Sequence, residues 1–127
     1  MTTEEAIQAI LIASPSLTVL CPASRILVPG TWQNLDRPYI IHFPVTTSTA
    51  HTHSEGLVLL RIHDYYQVSV IAASYSGART VADVVISTLD GTHSGLTAFY
   101  LTEIHIPEPD TESHQIALNF RVAYAPS

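Results

Sequence analysis

Apolar positions along the chain follow two alternating periods, and each change of period marks an element. Thr2, with Glu5 three residues later, fits a capping box, and Ala6, Ile7, Ile10 and Leu11 then recur at helical spacing. This predicts an amphipathic helix over residues 3 to 13. Ser14 followed by Pro15 repeats the start signal, so residues 15 to 20 read as a short second helix that Pro22 stops. From Arg25 the pattern becomes that of strands: Ile26, Leu27 and Val28 stop at Pro29 and Gly30, and Tyr39 to Phe43 lie between Pro38 and Pro44. Residues 45 to 56 are rich in Thr, Ser and His and poor in apolar groups, which predicts an exposed loop.

Residues 57 to 73 form the longest strand candidate. Leu60, Ile62, Tyr66, Val68, Val70 and Ala72 share one face, interrupted by Asp64, while Arg61, His63, Tyr65, Gln67 and Ser69 share the other. Ser76 then reads as the cap of a helix whose apolar positions Ala78, Val81, Ala82, Val85, Ile86 and Leu89 line one side and which Gly91 ends. After a turn from Gly91 to Gly95, residues 97 to 106 alternate less strictly. An acidic turn from Pro107 to Ser113 leads to a final strand in which Ile116, Leu118, Phe120, Val122 and Tyr124 alternate with Gln115, Ala117, Asn119, Arg121 and Ala123. The last two strands are expected to pair antiparallel. The order implies an α+β fold: a mixed, mainly antiparallel sheet of about five strands with two main helices packed on one face.

Composition narrows the picture. With 127 residues, one domain covering residues 1–127 is expected. A hydrophobic content of 46% against 13% charged residues excludes a disordered chain and leaves apolar surface for partner subunits. The net charge of -6, with basic residues scattered, argues against nucleic-acid binding, which needs a basic footprint to release counterions. The longest apolar stretches, such as Ala9 to Ala13, fall far short of the roughly 20 residues that span a bilayer. The acidic start, Thr2 to Glu5, is unlike a secretory leader, so synthesis in the cytoplasm is expected. Cys21, the single cysteine, permits no internal disulfide and reads as a small semi-buried apolar residue.

Seven histidines raise the question of a metal. His51 and His53 would need a third ligand from elsewhere, and neighbouring His63 and Asp64 point to opposite strand faces. His42, His93, His105 and His114 show no ligand spacing. Solvated histidines on loops and polar strand faces account for all seven positions, so no metal or cofactor is expected. There is no G-x-S-x-G, P-loop, G-x-G-x-x-G or H-E-x-x-H, and the carboxylates at Glu4 and Glu5 and at Glu108, Asp110 and Glu112 read as solvated charge. No catalytic residue is expected. Trp32, beside Gly30 and Thr31, is either an interface anchor or a lid over the core edge.

The order of these segments resembles the phage tail-component family that includes the tail completion proteins of siphophages. Ala13-Ser14-Pro15-Ser16-Leu17, Ser24-Arg25-Ile26-Leu27-Val28-Pro29 and Arg37-Pro38-Tyr39-Ile40-Ile41 look like the family's opening helices and first strands. Tyr66-Gln67-Val68-Ser69-Val70-Ile71-Ala72, running into Tyr75 and the helix through Ala82, Val85, Leu89 and Gly91, is similar to its central strand and helix. Leu118-Asn119-Phe120-Arg121-Val122-Ala123-Tyr124 is similar to its close. The His- and Thr-rich stretch at 45 to 56 departs from the family pattern, as do Ile71 and Ala123, which stand where aromatics are expected.

The resemblance implies a structural virion protein, not an enzyme. It would be a tail terminator whose copies form a hexameric ring that caps the tail tube, stops its polymerisation and joins the tail to the head connector. The implied partners are further copies of the chain, the tail tube protein and the head completion or connector protein; DNA passes through without specific binding and no membrane is involved. The implied location is the virion neck, with assembly in the host cytoplasm. A head-to-tail ring uses two different patches per copy, and strand edges and loops can supply them. Trp32, His51, His53, His93, Glu108 and Asp110 are the expected partner-contact positions, with the 45 to 56 loop and the 92 to 96 turn facing axial partners. The alternatives are another neck or minor tail structural protein, or a small metal-dependent cytoplasmic enzyme using the histidines.

Overall fold

Helix α1 (Thr3–Ile12) begins where the capping box places it: Glu5 N donates to Thr2 Oγ1 at 3.1 Å and Thr2 N donates to Glu5 Oε1 at 3.0 Å. Its apolar side buries Ala6, Ile7 and Leu11. Helix α2 (Pro15–Thr18) follows, with Ser14 as cap and Pro15 in the first turn as expected, and it contributes Leu17 to the core. The computed structural model describes residues 2–29, 37–45, 48–52, 58–93, 95–109 and 112–125, and of residues 48–52 and 58–61 it describes the backbone.

Among the described residues seven strands form one sheet: β1 (Ile26–Leu27), β2 (Tyr39–Pro44), β3 (Ser48–Thr52), β4 (Val58–Ala72), β5 (Gly91–His93), β6 (Leu96–Glu108) and β7 (Ser113–Tyr124). The order is β1-β2-β4-β7-β6-β5, with β3 pairing to β4 beyond the end of β2. Among the described residues only the β1–β2 pair is parallel, so the sheet is mixed and mainly antiparallel, as the sequence implies. The two strands beyond the expected five come from β3 and β5. Ser48–Thr52 pairs with residues 58–62 inside the stretch expected to be an exposed loop, and Gly91–His93 pairs with residues 96–98 where a turn was expected. Alternation over three to five polar residues is too short a signal to separate a strand from a loop; the partner strand supplies the hydrogen bonds that decide it.

Helix α3 (Tyr75–Leu89) packs across β4, β7 and β6, and α1 packs against α3, β1 and β2. Ala78, Val81, Ala82, Val85 and Leu89 are buried, as their spacing predicts. The cap is Ser74 rather than Ser76: Ser74 holds the extended conformation of a cap residue, and its Oγ accepts from Gly77 N at 3.1 Å. Gly91, at φ +121, takes the chain out of the helix into β5, a conformation that favours glycine. The helical side chains meet Val68 and Val70 of β4 and Ile116, Leu118, Phe120 and Val122 of β7 in one hydrophobic cluster. Full burial of each such side chain stabilises the fold by about 1.5–3 kcal/mol.

Two bulges shape the sheet. Between His63 and Tyr66, β4 has one residue more than its partner β7, and between Tyr100 and Thr102, β6 likewise has one more. Both lie beside Phe120, which pairs with Tyr66 on one side and with Tyr100 on the other. A bulge bends its strand and reverses which face each later residue takes. The expected single apolar face of β4 is therefore corrected: Tyr66, Val68, Val70 and Ala72 face the helices together with His63, while Ile62 turns to the other face.

Candidate partner-contact surface

Of the expected contact positions, Trp32, His53 and Asp110 lie outside the described residues. His51 sits in β3, opposite Leu59 of β4. His93 ends β5, and its Nε2 lies 2.8 Å from Leu89 O, tying the strand to the end of α3. Glu108 ends β6 opposite Ser113, at the mouth of the β6–β7 hairpin. His51, His93 and Glu108 thus lie on three different strands, β3, β5 and β6. The 92 to 96 segment is corrected from a turn to a hairpin: His93 pairs with Leu96, and Gly95 O accepts from Ala125 N at 2.9 Å.

Among the described residues, four of the exposed large apolar side chains lie on β6. Leu96, Ala98 and Tyr100 face the helices, and strict alternation would place Thr102, Ile104 and Ile106 beside them. The extra residue at Leu101 reverses the faces. Ile104 pairs with Ala117 and Ile106 with Gln115, on the side away from the helices, where Phe99 also lies opposite Arg121. Phe99 is 57% exposed, Ile104 56%, Leu101 46% and Ile106 39%. Isolated exposed apolar residues are ordinary; four within eight residues of one strand make this margin a candidate interaction surface. Further in, this outer face turns polar, with Gln67 Nε2 and Gln115 Nε2 donating to Ser69 Oγ at 2.7 and 3.1 Å.

The same bulge turns Glu103 toward the helices. Arg79 of α3 donates to it through both terminal nitrogens, Nη2 to Oε1 at 3.1 Å and Nη1 to Oε2, while Tyr100 OH donates to Oε1 at 2.5 Å. Arg79 Nε also donates to Asp83 Oδ1 at 2.9 Å. The Arg79 guanidinium holds the Glu103 carboxyl below the usual carboxylate range, whereas burial first and then Glu103 push the Tyr100 phenol up to about 12. The free margin of β6 is thereby braced from the helix side.

The expectation that all seven histidines are solvated is corrected at two positions. His42 and His63 are buried beneath α1. Gln8 Nε2 donates to Ile26 O at 2.6 Å, so Gln8 Oε1 accepts from His42 Nε2 at 2.7 Å, and His42 Nδ1 accepts from Tyr66 OH at 2.7 Å. His63 Nε2 lies 2.9 Å from Thr3 Oγ1. These bonds fasten α1 to β1, β2 and β4. Burial pushes His42 down to about 4, so the ring is neutral at neutral pH. Alternation alone would not have found this, because a histidine on a strand reads as polar until its partners are known.

His105 and His114 come together across the β6–β7 hairpin, Nε2 to Nδ1, at 3.1 Å. Their planes are 16° apart and their centroids 5.4 Å apart, so the rings meet edge to edge and one nitrogen donates to the other. Tyr75 packs on His105 at 4.6 Å between centroids. Among the described residues no group of three or more His, Cys, Asp and Glu could hold a metal ion. Cys21 is buried, and that burial pushes its thiol up to about 11, which disfavours the reactive thiolate. A groove of about 480 Å³ runs between α1 and β1, with Ile26, Leu27 and Phe43 below and Glu4 and Glu5 at its rim. Among the described residues no helix is long and apolar enough to cross a membrane.

Comparison with known proteins agrees with this geometry. No curated protein matches the chain. A chain of a solved structure described as "Virion of native gene transfer agent (GTA) particle" has the same fold. The two align with a TM-score of 0.74 at 20% identity, over 98% of this chain and 95% of that one. The family model described as "Tail completion protein gp17" matches residues 5–125. A match over nearly the whole chain, on a fold shared with a virion component, shows that this chain belongs to the tail completion protein gp17 family and is a structural protein of a phage-type tail.

Proposed function

We propose that this chain is the tail terminator of a phage or phage-like particle. Copies close into a hexameric ring on the last ring of the tail tube, stop its polymerisation and present a surface to the head connector protein. Assembly takes place in the host cytoplasm, on the free tail. The observation that carries this reading is the family match over residues 5–125, and the open apolar margin of β6 supports it. A ring needs each copy to meet its neighbour through two different patches, and among the described residues β6 and β3 each have an edge with no strand beside it.

The charge fits a passage for DNA. A net charge of -6, with no lysine and only scattered arginine, offers a passing duplex little counterion-releasing contact. The test is electron microscopy of lysates from a particle lacking this gene, with the intact gene supplied in trans as control. Overlong or headless tails beside filled heads are the expected result. Normally joined particles of normal tail length would overturn the reading.

A further inference from the structure

We propose that neighbouring copies are joined by strand pairing: the free edge of β6 over residues 101–106, ended by Pro107, adds antiparallel to the outer edge of β3 (Ser48–Thr52) in the next copy. The inference rests on the ring reading above and names its interface. Among the described residues, no strand pairs with the edge of β6 beyond residue 98 on the side away from β7. On the side of β6 away from β7, β5 pairs only with residues 96–98, and the N–H of Tyr100 is taken by Asp90 Oδ1 at 2.9 Å. Beyond that, no described strand meets β6.

An unpaired edge is a template for another strand, and proteins that keep such edges apart fill them with Lys, Pro or uncompensated charge. Residues 101–106 contain neither Lys nor Pro, and their one charged side chain, Glu103, is already held by Arg79 and Tyr100. The side chains flanking this edge are the apolar, exposed ones: Leu101, Ile104 and Ile106. Their exposure suits a strand that gains a neighbour on assembly.

The other margin of the sheet narrows the choice of partner. The edge of β1 is closed by α1, because Ile26 O accepts from Gln8 Nε2 at 2.6 Å. β3 pairs with β4 along one edge, and among the described residues no strand covers its other edge. In a ring whose axis runs along the strands, rotation from copy to copy keeps strand direction. β6 runs parallel to β4, through β7, and β3 runs antiparallel to β4, so the junction of β6 with β3 is antiparallel. Pairing β6 with β6 instead is a self-complementary two-fold contact, which would close at a dimer and could not propagate around a ring.

Cysteine pairs in assembled particles test the junction. Opposed residues of antiparallel strands lie about 4.5–5.5 Å apart at Cα, within disulfide range. Ala50→Cys is combined in turn with Thr102→Cys, Ile104→Cys and Ile106→Cys, covering three registers of one face, and oxidised particles are run without reductant. The expected result is a ladder of covalent multimers in one combination and none from the single variants. A ladder from no combination, or dimers from Ile104→Cys alone, overturns the proposal. Averaged cryo-electron microscopy of particles carrying the unsubstituted chain gives a second readout. A β6–β3 strand junction between copies supports the proposal. A ring joined through other surfaces overturns the junction but leaves the ring reading standing, and the absence of any ring of this chain overturns both.

Discussion

Acidification from about pH 7 to about pH 5 is expected to cost the fold about 2 kcal/mol through His42 alone. The structure sets both the sign and the size. Burial moves His42 from 6.5 to about 4, a difference equivalent to about 3 kcal/mol between its charged and neutral forms. In the folded chain the ring stays neutral over this window, because Nε2–H is committed to Gln8 and Nδ1 accepts from Tyr66 OH. A proton on Nδ1 would turn the Tyr66 hydroxyl from donor to acceptor and place a charge in a site shut off from water. The unfolded chain takes up that proton near the ordinary value. The unfolded state thus binds more protons, and the stability contribution is fully present above about pH 6.5 and is lost as the pH falls toward about 4. Urea unfolding followed by circular dichroism at a series of pH values measures it. The control is His42→Leu, which cannot titrate. It loses about 1–3 kcal/mol at neutral pH for each buried polar group left unpaired, and its stability falls less steeply on acidification. If both chains lose stability equally between about pH 7 and pH 5, the reasoning is wrong.

Two further outcomes follow from the sheet. Phe120→Ala, at the residue that pairs with both bulged strands and packs edge-on against Tyr100 at 5.8 Å, is expected to lower stability by about 3–5 kcal/mol, whereas Phe99→Ala, on the exposed margin, changes it by less than about 0.5 kcal/mol. Equal losses in urea unfolding would show that the assignment of faces is wrong. Glu103→Gln is expected to cost about 0.5–1 kcal/mol at neutral pH, the range for a partly exposed ion pair. Because Arg79 lowers the Glu103 carboxyl, the contribution is present above the unfolded carboxylate value and is lost as the pH falls, so the gap between variant and parent narrows with acid. A gap that widens would refute this.

Most of the architecture can be read from local pattern, because the forces that set it act within a few residues. The caps at Thr2 and Ser14, the apolar side of α3 and the alternation of β7 depend only on spacing, and each stands in the fold where the spacing puts it. The family, too, is visible in the order of these elements. The contact surface is a different matter. The pattern Leu96, Ala98, Tyr100, Thr102, Ile104, Ile106 reads as one buried face, and only the irregular alternation around Leu101 hints otherwise.

What reverses that face is a single residue without a partner in β7, and whether a residue is paired depends on the strand beside it. The same holds at His63 to Tyr66, where the bulge carries a histidine beneath α1 to Thr3. Likewise the short polar segment at residues 48–52 is a strand because β4 is there to accept it, and His42 is buried and neutral because Gln8 and Tyr66 arrive from distant parts of the chain. Local periodicity specifies each element and its apolar side; the register between strands decides which of those sides reaches the surface.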